Sequence, residues 1–238
     1  MPEDTSINSI IKLSPRLKTV AGFVRPGAKV VDVGTDHARV PVYLVANGIT
    51  EYALATDIKP GPLQNAKDTI ESYELAGKID LRLSDGLLAV DASEAEDVII
   101  AGMGGDLIIE IIKGAPWLCA PSKLLIMQPM SQAHRLRAYL CKAGFHIVRE
   151  EACLEGKRVY IALSARYEPG LEENFDESYF YIGELKLNKN EAAGIYLKKV
   201  KNSLNKKVKA LREKTPGSPD LKELEDVIKT IDAALEEN

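Results

Sequence analysis

The sequence is poor in cysteine, in long apolar runs and in positive charge near its N-terminus, and each shortage excludes a class of protein. The three cysteines are an odd number and lie far apart, at positions 119, 141 and 153, so that neither a disulfide framework nor a zinc site is expected. No run of about 18 apolar residues occurs, which excludes a membrane-spanning helix. The first residues, MPEDTSINSIIKL, carry acids where a signal peptide carries positive charge. We therefore expect a cytoplasmic protein without a metal ion or a membrane anchor.

Charge is distributed unevenly along the chain, whose formal net charge is −4. The segment 186–214 contains ten lysines and arginines against two acids, whereas the segment 215–238 contains two basic residues against seven acids. A basic segment inside an acidic protein is typical of contact with nucleic acid. The alternative is that these positive charges pair with the acidic segment that follows.

Short β-patterned segments alternate with helical ones over the first two thirds of the chain. Apolar runs predict strands at 29–33, 52–55, 79–83, 97–101, 123–127, 145–152 and 157–164. Helical spacing predicts helices at 7–24, 40–47, 62–76, 107–113 and 132–142. Strands that alternate with helices form a parallel sheet, whereas the last two strands are joined by a tight turn and must pair antiparallel. The pattern predicts an α/β fold with a seven-stranded, mainly parallel sheet and an antiparallel edge hairpin.

The pattern changes after Pro169 and Gly170. Two amphipathic helices follow, at 191–214 and 221–235, separated by the breaker PGSP at 216–219. Helices joined by so short a connection pack as an antiparallel helical hairpin. We therefore divide the chain into an α/β domain, residues 1–168, and a C-terminal helical-hairpin domain, residues 169–238.

The loop after the first predicted strand lies within VVDVGTDHARVP and begins at a single glycine, Gly34. In an open parallel sheet, ligands bind outside the carboxyl ends of the strands. The dinucleotide fingerprint GxGxxG needs more glycines than this loop has. The loop therefore argues against NAD and its pyrophosphate, and a nicotinamide dehydrogenase is a weak alternative.

Aspartates lie at or just after the carboxyl ends of three successive predicted strands. Asp57 comes 25 positions after Asp32, and an acid at about this distance suits hydrogen bonds to ribose hydroxyls. Asp85, between Ser84 and Gly86, offers an oxygen to an adenine amino group. Three acids without clustered basic residues suit a nucleoside that carries positive charge, as S-adenosylmethionine does. A single aspartate after a strand is more commonly a turn or helix cap, so the prediction depends on the ordered set.

Two features of these loops also have plain structural explanations. The run from Gly102 to Gly105 is either part of a ligand site or a tight turn between a strand and a helix. His37 is either a catalytic group or a histidine that only makes structural hydrogen bonds. Residue types alone leave both alternatives open.

Several short motifs occur between residues 8 and 165 in the order of one known family. They are LSPRL at 13–17, DVGTDHA at 32–38, AGMGG at 101–105 and QP at 128–129, followed by LRAYL at 136–140 and GF at 144–145. Together they resemble the bacterial tRNA (adenine(22)-N1)-methyltransferase family. The resemblance implies a class I, Rossmann-like enzyme with a C-terminal helical hairpin. It also implies methyl transfer from S-adenosylmethionine to N1 of adenine 22 in tRNA.

The resemblance and the strand-end positions together nominate site residues. The candidates for S-adenosylmethionine are Asp32, Gly34, Thr35, Asp57, Ile58, Ser84, Asp85, Gly86, Gly102 and Met103. The candidates for tRNA are Arg16, Gly104, Gly105, Pro129, Met130, Arg135, Lys198, Lys206 and Lys209, with Arg137 as a further contact. Asp36, His37 and Gln128 are the catalytic candidates, for the charge and the proton of the reacting base. We expect no metal ion, and a monomer or a weak homo-oligomer.

Two other functions stay open at this point. A methyltransferase that acts on a small molecule or a protein keeps the acids at the strand ends but has no need of the basic helix. A non-catalytic binding protein on a Rossmann-like domain does not bind the methyl donor at all.

Overall fold

The computed structural model of the chain describes residues 11–170, 175–187, 191–215 and 217–236. Its strands are β1 Val30–Val33, β2 Ala53–Asp57, β3 Ile79–Leu83, β4 Asp97–Gly104, β5 Leu124–Ser131, β6 Phe145–Glu155 and β7 Arg158–Tyr167. Its α-helices are α1 Pro15–Ala21, α2 Arg39–Ala46, α3 Pro60–Ser72, α4 Gly105–Lys113, α5 Ala133–Lys142, α6 Glu177–Ile182, α7 Glu191–Lys214 and α8 Pro219–Glu236. None of the helices in these ranges combines the length and the apolar composition needed to cross a membrane.

The seven strands form one sheet in the order β3-β2-β1-β4-β5-β7-β6. Strands β1 to β5 pair in parallel, and β7 pairs antiparallel with both β5 and β6. The predicted α/β, Rossmann-like sheet with an antiparallel edge hairpin is thereby confirmed. Because β1 to β5 run in the same direction, the loops that follow them lie along one edge of the sheet.

Helices cover both faces of the sheet, which explains why its central strands are apolar at almost every position. Every residue of β1 is buried. Val31 packs into a hydrophobic cluster with Leu136 of α5, and Val30 packs into a second cluster with Leu44 of α2. The β1 loop is therefore held from both sides of the sheet.

Helix α1 is shorter than the helix predicted at 7–24. It begins at Pro15, and Ser14 before it is extended, with φ −63° and ψ 157°. A residue before proline is sterically excluded from the helical region, whereas proline fits the first helical position. The prediction was wrong for residues 11–14 and, because α1 ends at Ala21, also for residues 22–24; residues 7–10 lie outside the described ranges.

The glycine-rich run after the fourth predicted strand continues that strand. β4 extends to Gly104, and its register against β5 shifts between Ala101 and Met103 and between Met103 and Gly104. Gly102 has φ +81°, a conformation that side chains with a Cβ rarely adopt. An irregular strand end, rather than a tight turn, therefore carries the run to α4.

The C-terminal helices α7 and α8 pack against each other as predicted. Their apolar stripes form a separate hydrophobic cluster that includes Leu197, Leu204, Val208, Leu224, Val227 and Ile231. Leu185, which precedes α7, and Ala193, in the first turn of α7, belong instead to one of the two sheet clusters and pack on the sheet.

A buried ion pair joins the sheet to the C-terminal segment. Arg137 of α5 and Glu150 of β6 both have fully buried side chains. The Arg137 guanidinium donates to Glu150 and, over 2.8 Å, to the carbonyl oxygen of Phe180 in α6. The prediction that Arg137 contacts RNA was wrong, because the arginine is used to hold α6 on the sheet.

Candidate active site

A cavity of about 490 Å³ opens at the carboxyl ends of β1 and β4. The predicted residues that line it are Arg16, Asp32, Gly34, Thr35, Asp36, His37 and Gly102. The structure thus brings together residues from α1, the β1 loop and the end of β4, as the sheet topology required. We call this cavity the donor pocket.

The first two backbone amides of the β1 loop already donate hydrogen bonds within the protein and do not point at a ligand phosphate. Gly34 has φ +74°, and the backbone amides of Gly34 and Thr35 donate to the carbonyl oxygen of Thr56 over 2.8 and 2.9 Å. A pyrophosphate site needs loop amides that point at the ligand. The loop is therefore tied to β2, which agrees with the absence of the dinucleotide fingerprint.

Asp32 is a buried carboxyl group at the base of the donor pocket, with 7% of its surface exposed. Burial raises its pKa to about 7; a hydrogen bond with Thr35 opposes the shift, and the charge of Asp57 adds to it. A carboxylate that burial destabilises gains most from a cationic partner. The base of the pocket therefore suits a ligand with positive charge.

Asp36 and His37 lie at the open side of the donor pocket. His37 Nε2 is 3.3 Å from Asp36 Oδ2, and 42% and 71% of the two side chains are exposed, in that order. Both groups are accessible to a substrate that approaches from solvent. An exposed acid paired with a histidine can accept or pass a proton.

The ends of β2 and β3 flank the donor pocket without lining it. Asp57 Oδ1 accepts from the amide of Lys59 over 2.8 Å. The hydroxyl of Ser84 donates to the carbonyl oxygen of Gly86 over 3.0 Å, so it shapes its own turn. Asp85 and Gly86 line a smaller cavity of about 220 Å³, and Ile58 is an exposed apolar side chain.

Met103 lies directly over the β1 loop. A Cβ atom placed on Gly34 would be 2.1 Å from Met103 Cε. The absence of a side chain at Gly34 thus gives Met103 its position beside the donor pocket, a second reason for glycine besides the positive φ.

Gln128 at the end of β5 is fully buried and held by Arg16. Arg16 donates to Gln128 Oε1 over 2.6 Å, and Gln128 Nε2 donates to the carbonyl oxygen of Pro129 over 3.0 Å. The Arg16 guanidinium also lies 5.6 Å from the ring centre of Tyr160. Arg16 and Gln128 therefore form one unit at the rim, and their separate predicted roles, in tRNA binding and catalysis, stay predictions.

Sequence reasoning missed the contribution of the edge hairpin to this rim. Glu155, at the end of β6, lines the donor pocket and accepts from the backbone amide of Arg16 over 3.2 Å. Ser14 and Arg39 line the pocket as well. No sequence signal connects residues 14–16 with residues 155–160, because pairing across the sheet brings them together.

Gly105 has a packing role at the start of α4. A Cβ on this residue would lie 2.6 Å from the carbonyl oxygen of Gln132, so the loop after β5 would have to move. Gly104 is less restricted, with Ser131 Oγ 3.3 Å from the corresponding position. The contact with tRNA predicted for both glycines stays a prediction.

The substitution Gly105→Ala is expected to destabilise the fold by about 1–3 kcal/mol, because backbone must shift to admit the methyl group. Gly61→Ala is the matched control: Gly61 lies in α3 and has nothing within 4 Å of its Cβ position. The control should be neutral or stabilising by about 0.5–1 kcal/mol. Urea denaturation measures both, and equal stabilities of the two variants would contradict the packing role.

The basic residues of α7 divide into paired and unpaired groups. Lys201 pairs with Asp232, and Arg212 pairs with Glu225 over 2.6 Å, so part of the charge is used within the helical hairpin. The predicted tRNA contacts of α7, namely Lys198, Lys206 and Lys209, are exposed and have no ion-pair partner among the described residues. Arg135 pairs with Asp106 over 2.7 Å at the surface.

Comparison with known proteins shows which family has this sequence and fold. Residues 13–163 match the family described as "Methyltransferase domain". The tRNA (adenine(22)-N(1))-methyltransferase of Bacillus subtilis (strain 168) is 34% identical over 194 residues, which cover 82% of this chain and 78% of the relative.

Solved structures share the whole architecture, including the helical hairpin. The B. subtilis tRNA methyltransferase TrmK is 29% identical with a TM-score of 0.81, over 94% of this chain and 99% of that one. A putative Streptococcus pneumoniae tRNA methyltransferase, solved in complex with S-adenosyl-L-methionine, is 33% identical with a TM-score of 0.78, over 92% and 98%. The M. capricolum TrmK complex with S-adenosyl-homocysteine is 27% identical with a TM-score of 0.75, over 94% and 98%. The chain therefore belongs to the tRNA (adenine(22)-N1)-methyltransferase family.

Proposed function

We propose that this protein transfers a methyl group from S-adenosylmethionine to N1 of adenine 22 in tRNA. The observation that carries the proposal is the buried carboxyl of Asp32 at the base of a pocket whose loop amides are tied to β2. Such a pocket suits a cationic nucleoside and not a diphosphate. Relatives that share the full architecture carry the same activity in their names.

The chain's own residues fit the methyl donor on this proposal. Asp32 faces its positive charge, and Gly34 and Gly102 lack the side chains that would fill the pocket. Asp57 and Asp85, at the next two strand ends, take the ribose hydroxyls and the adenine amino group. Ile58 and Met103 supply apolar contact to the adenine of the methyl donor. Thr35 shapes the loop after β1, and Ser84 and Gly86 shape the loop after β3.

The bound donor supplies an electrophilic methyl group on a sulfonium, which needs neither a metal ion nor a covalent enzyme intermediate. The protein's main task is to hold N1 of the adenine in line with that methyl group. Because N1 takes part in base pairing, the adenine has to leave its stack to reach the pocket. Methylation puts positive charge on the adenine ring. The exposed carboxylate of Asp36, paired with His37, stabilises that charge.

The tRNA binds along the exposed basic face of α7 in this proposal. Electrostatic attraction to phosphates dominates such binding and weakens as salt is added. Lys198, Lys206 and Lys209 are the contacts on this face, while Pro129, Met130, Arg16 and Arg135 lie nearer the target base. The free cations on α7 support this role, although Lys201 and Arg212 are used inside the hairpin.

Neutralising Lys198, Lys206 and Lys209 to alanine is expected to weaken tRNA binding and to flatten its dependence on salt by about 2 units of the log–log slope. Filter binding at several salt concentrations measures the slope. The control is the triple variant Lys29, Lys67 and Lys78 to alanine, which removes the same charge from α3 and from the residues just before β1 and β3. It should leave the slope nearly unchanged. Equal slopes for the two triple variants would remove α7 from the tRNA surface.

The proposal also includes the domain division of the protein, its location in the cell and its oligomeric state. The division into an α/β domain, residues 1–168, and a helical-hairpin domain, residues 169–238, is supported by the separate hydrophobic cluster of α7 and α8. A cytoplasmic location follows from a tRNA substrate, and none of the three cysteines, all of which the structure describes, is in a disulfide. A monomer or weak homo-oligomer suits a site built from one chain.

Methylation of unmodified tRNA by the pure protein tests the proposed function, with the modified nucleoside located by mass spectrometry. We expect one N1-methyladenosine at position 22 that depends on S-adenosylmethionine. Binding of the donor without methylation of any tRNA would favour a small-molecule or protein substrate. Failure to bind the donor in a calorimetric titration would indicate a non-catalytic binding protein.

A further inference from the structure

A second cavity, of about 770 Å³, lies between the end of β5, the edge hairpin and α7. Its walls come from Pro129 and Met130 near the end of β5, from Lys157 to Ile161 in the hairpin, and from α7 between Ile195 and Lys207. We call this cavity the basic cleft. Its volume lies within the range of about 300–1,000 Å³ that is usual for small-molecule and cofactor sites.

The basic cleft is positively charged, and four of the five lysines and arginines among its described lining residues are exposed, the exception being the buried Arg137. Lys157 and Arg158 in the hairpin, with Lys199 and Lys207 on α7, have exposed side chains and form no ion pair with any described residue. Among the described residues that line the cleft, none is an aspartate or a glutamate. Four unpaired cations on two opposite walls, without an acid between them, call for an anionic occupant.

Aromatic and apolar side chains lie between these cations. The rings of His134 and Tyr181 stack with their centres 4.8 Å apart and an angle of 9° between their planes. Burial, with the positive charges of Lys207, Arg137 and Arg135, lowers the pKa of His134 and keeps its ring neutral. Met130, near the end of β5, adds an exposed apolar side chain to the lining. Flat apolar walls flanked by cations suit a base joined to a phosphate.

The basic cleft adjoins the candidate active site. Tyr160 lines the cleft, and its ring carries the guanidinium of Arg16, which lines the donor pocket. Arg16 in turn holds Gln128, the residue before Pro129 of the cleft. Side chains of Arg16, Tyr160 and Gln128 thus lie between the two cavities, so that neighbouring nucleotides of one RNA chain can enter them.

We propose that the basic cleft binds the nucleotide next to the target adenine in the RNA chain. Its base lies against the ring of His134, and its phosphates lie between the two pairs of cations. This inference rests on the proposed function, since it needs an RNA substrate. It adds a specificity site outside the donor pocket, and it accounts for the position of α7 opposite the edge hairpin.

A double-mutant cycle tests the contact with the base. The RNA probes are two unmodified tRNA transcripts, one with an abasic nucleotide just before adenine 22 and the other with an abasic nucleotide just after it. The protein variant is His134→Ala. For the wild-type protein, loss of the bound base should raise the Kd of the tRNA about tenfold. For His134→Ala, the intact tRNA should already bind about tenfold more weakly, and the abasic substitution should add less than about twofold.

His146→Ala is the matched control, because His146 is another half-buried histidine, on the outer strand β6, away from the cleft. This control should keep the full abasic effect. Additive effects of His134→Ala and the abasic nucleotide would overturn the proposal. If His134→Ala does not fold, His134→Gln provides the same loss of the ring.

The charged walls are tested with Lys199→Ala/Lys207→Ala and Lys157→Ala/Arg158→Ala. Each double variant should bind tRNA at least tenfold more weakly at low salt, with an unchanged Kd for S-adenosylmethionine by calorimetry. If both variants bound tRNA as tightly as the wild type and still methylated adenine 22, the cleft proposal would be contradicted and the proposed function would stand. Absence of tRNA methylation by the wild-type protein would instead overturn the proposed function, so the two failures are distinguishable.

Discussion

Replacing Arg137 with methionine is expected to lower the free energy of unfolding by about 3–5 kcal/mol. The side chain of Glu150 is fully buried and its carboxylate accepts from Arg137 and from the backbone amide of Glu184 over 3.1 Å. Removal of the arginine leaves a buried negative charge without its cation, and it also frees the carbonyl oxygen of Phe180. Urea denaturation followed by circular dichroism measures the loss.

Two further variants separate the buried charge from the loss of packing. In the double variant Arg137→Met/Glu150→Leu no unpaired charge remains, so much of the stability should return. Arg135→Met breaks the exposed pair with Asp106 and should cost less than about 1 kcal/mol. If Arg137→Met and Arg135→Met were equally stable, the buried pair would have no special role in holding α6 on the sheet.

Asp32→Asn is expected to weaken the binding of S-adenosylmethionine by about 10- to 150-fold, the equivalent of a charge-assisted contact of about 1.5–3 kcal/mol. The wild-type affinity should also depend on pH, because the pKa of Asp32 is raised to about 7 by burial. The carboxylate binds the cation, so the affinity should rise about tenfold between pH 6 and pH 8. Calorimetric titrations at three pH values measure both effects.

Asp32→Asn is expected to raise the stability of the ligand-free protein, although it weakens the binding of S-adenosylmethionine. The unfolded state releases the Asp32 proton near its ordinary pKa of 3.8, whereas the folded state holds it up to about 7. The unfolded chain therefore binds fewer protons between these values, and the stability of the wild-type protein falls as pH rises through this window. The amide that replaces the carboxyl group in Asp32→Asn has no proton to lose. This variant should therefore lack the fall and exceed the wild-type stability at pH 8 in the absence of ligand.

Asp36→Asn is the matched control for Asp32, since Asp36 lies in the same loop but is exposed. Its affinity for the methyl donor should stay within about twofold of the wild type, with the pH dependence intact, while methylation of tRNA slows. A pH-independent affinity in the wild-type protein would show that Asp32 does not face the charge of the donor.

The sequence predicted the elements and their order because periodicity and glycine stops are local signals. The strand ends near Asp32, Asp57 and Asp85 were located to within a residue or two. Strands β1 and β2 are almost fully buried, and β3 alternates apolar with polar residues before it stops at Ser84. The start of α1 was misplaced because apolar spacing in residues 7–24 outweighed the local effect of Pro15.

The candidate site was predicted only in part, for a physical reason. The β1 loop and the glycine run are contiguous in sequence, and strand topology brings them to one edge of the sheet. The pairing of Arg16 with Gln128, and the arrival of Glu155 beside them, depend on contacts between residues more than 100 positions apart. Such contacts leave no trace in composition or periodicity.

The sequence by itself determined the parallel sheet, the helical hairpin and a donor loop unsuited to a diphosphate, because these follow from apolar period, turn chemistry and the number of glycines. Only the tertiary structure decided the burial of each charge. It showed Asp32 as a carboxyl of raised pKa, Arg137 as an internal support, and four cations facing one cleft. Solvation and pairing depend on what the fold packs around a group, and the group's own place in the chain does not contain that information.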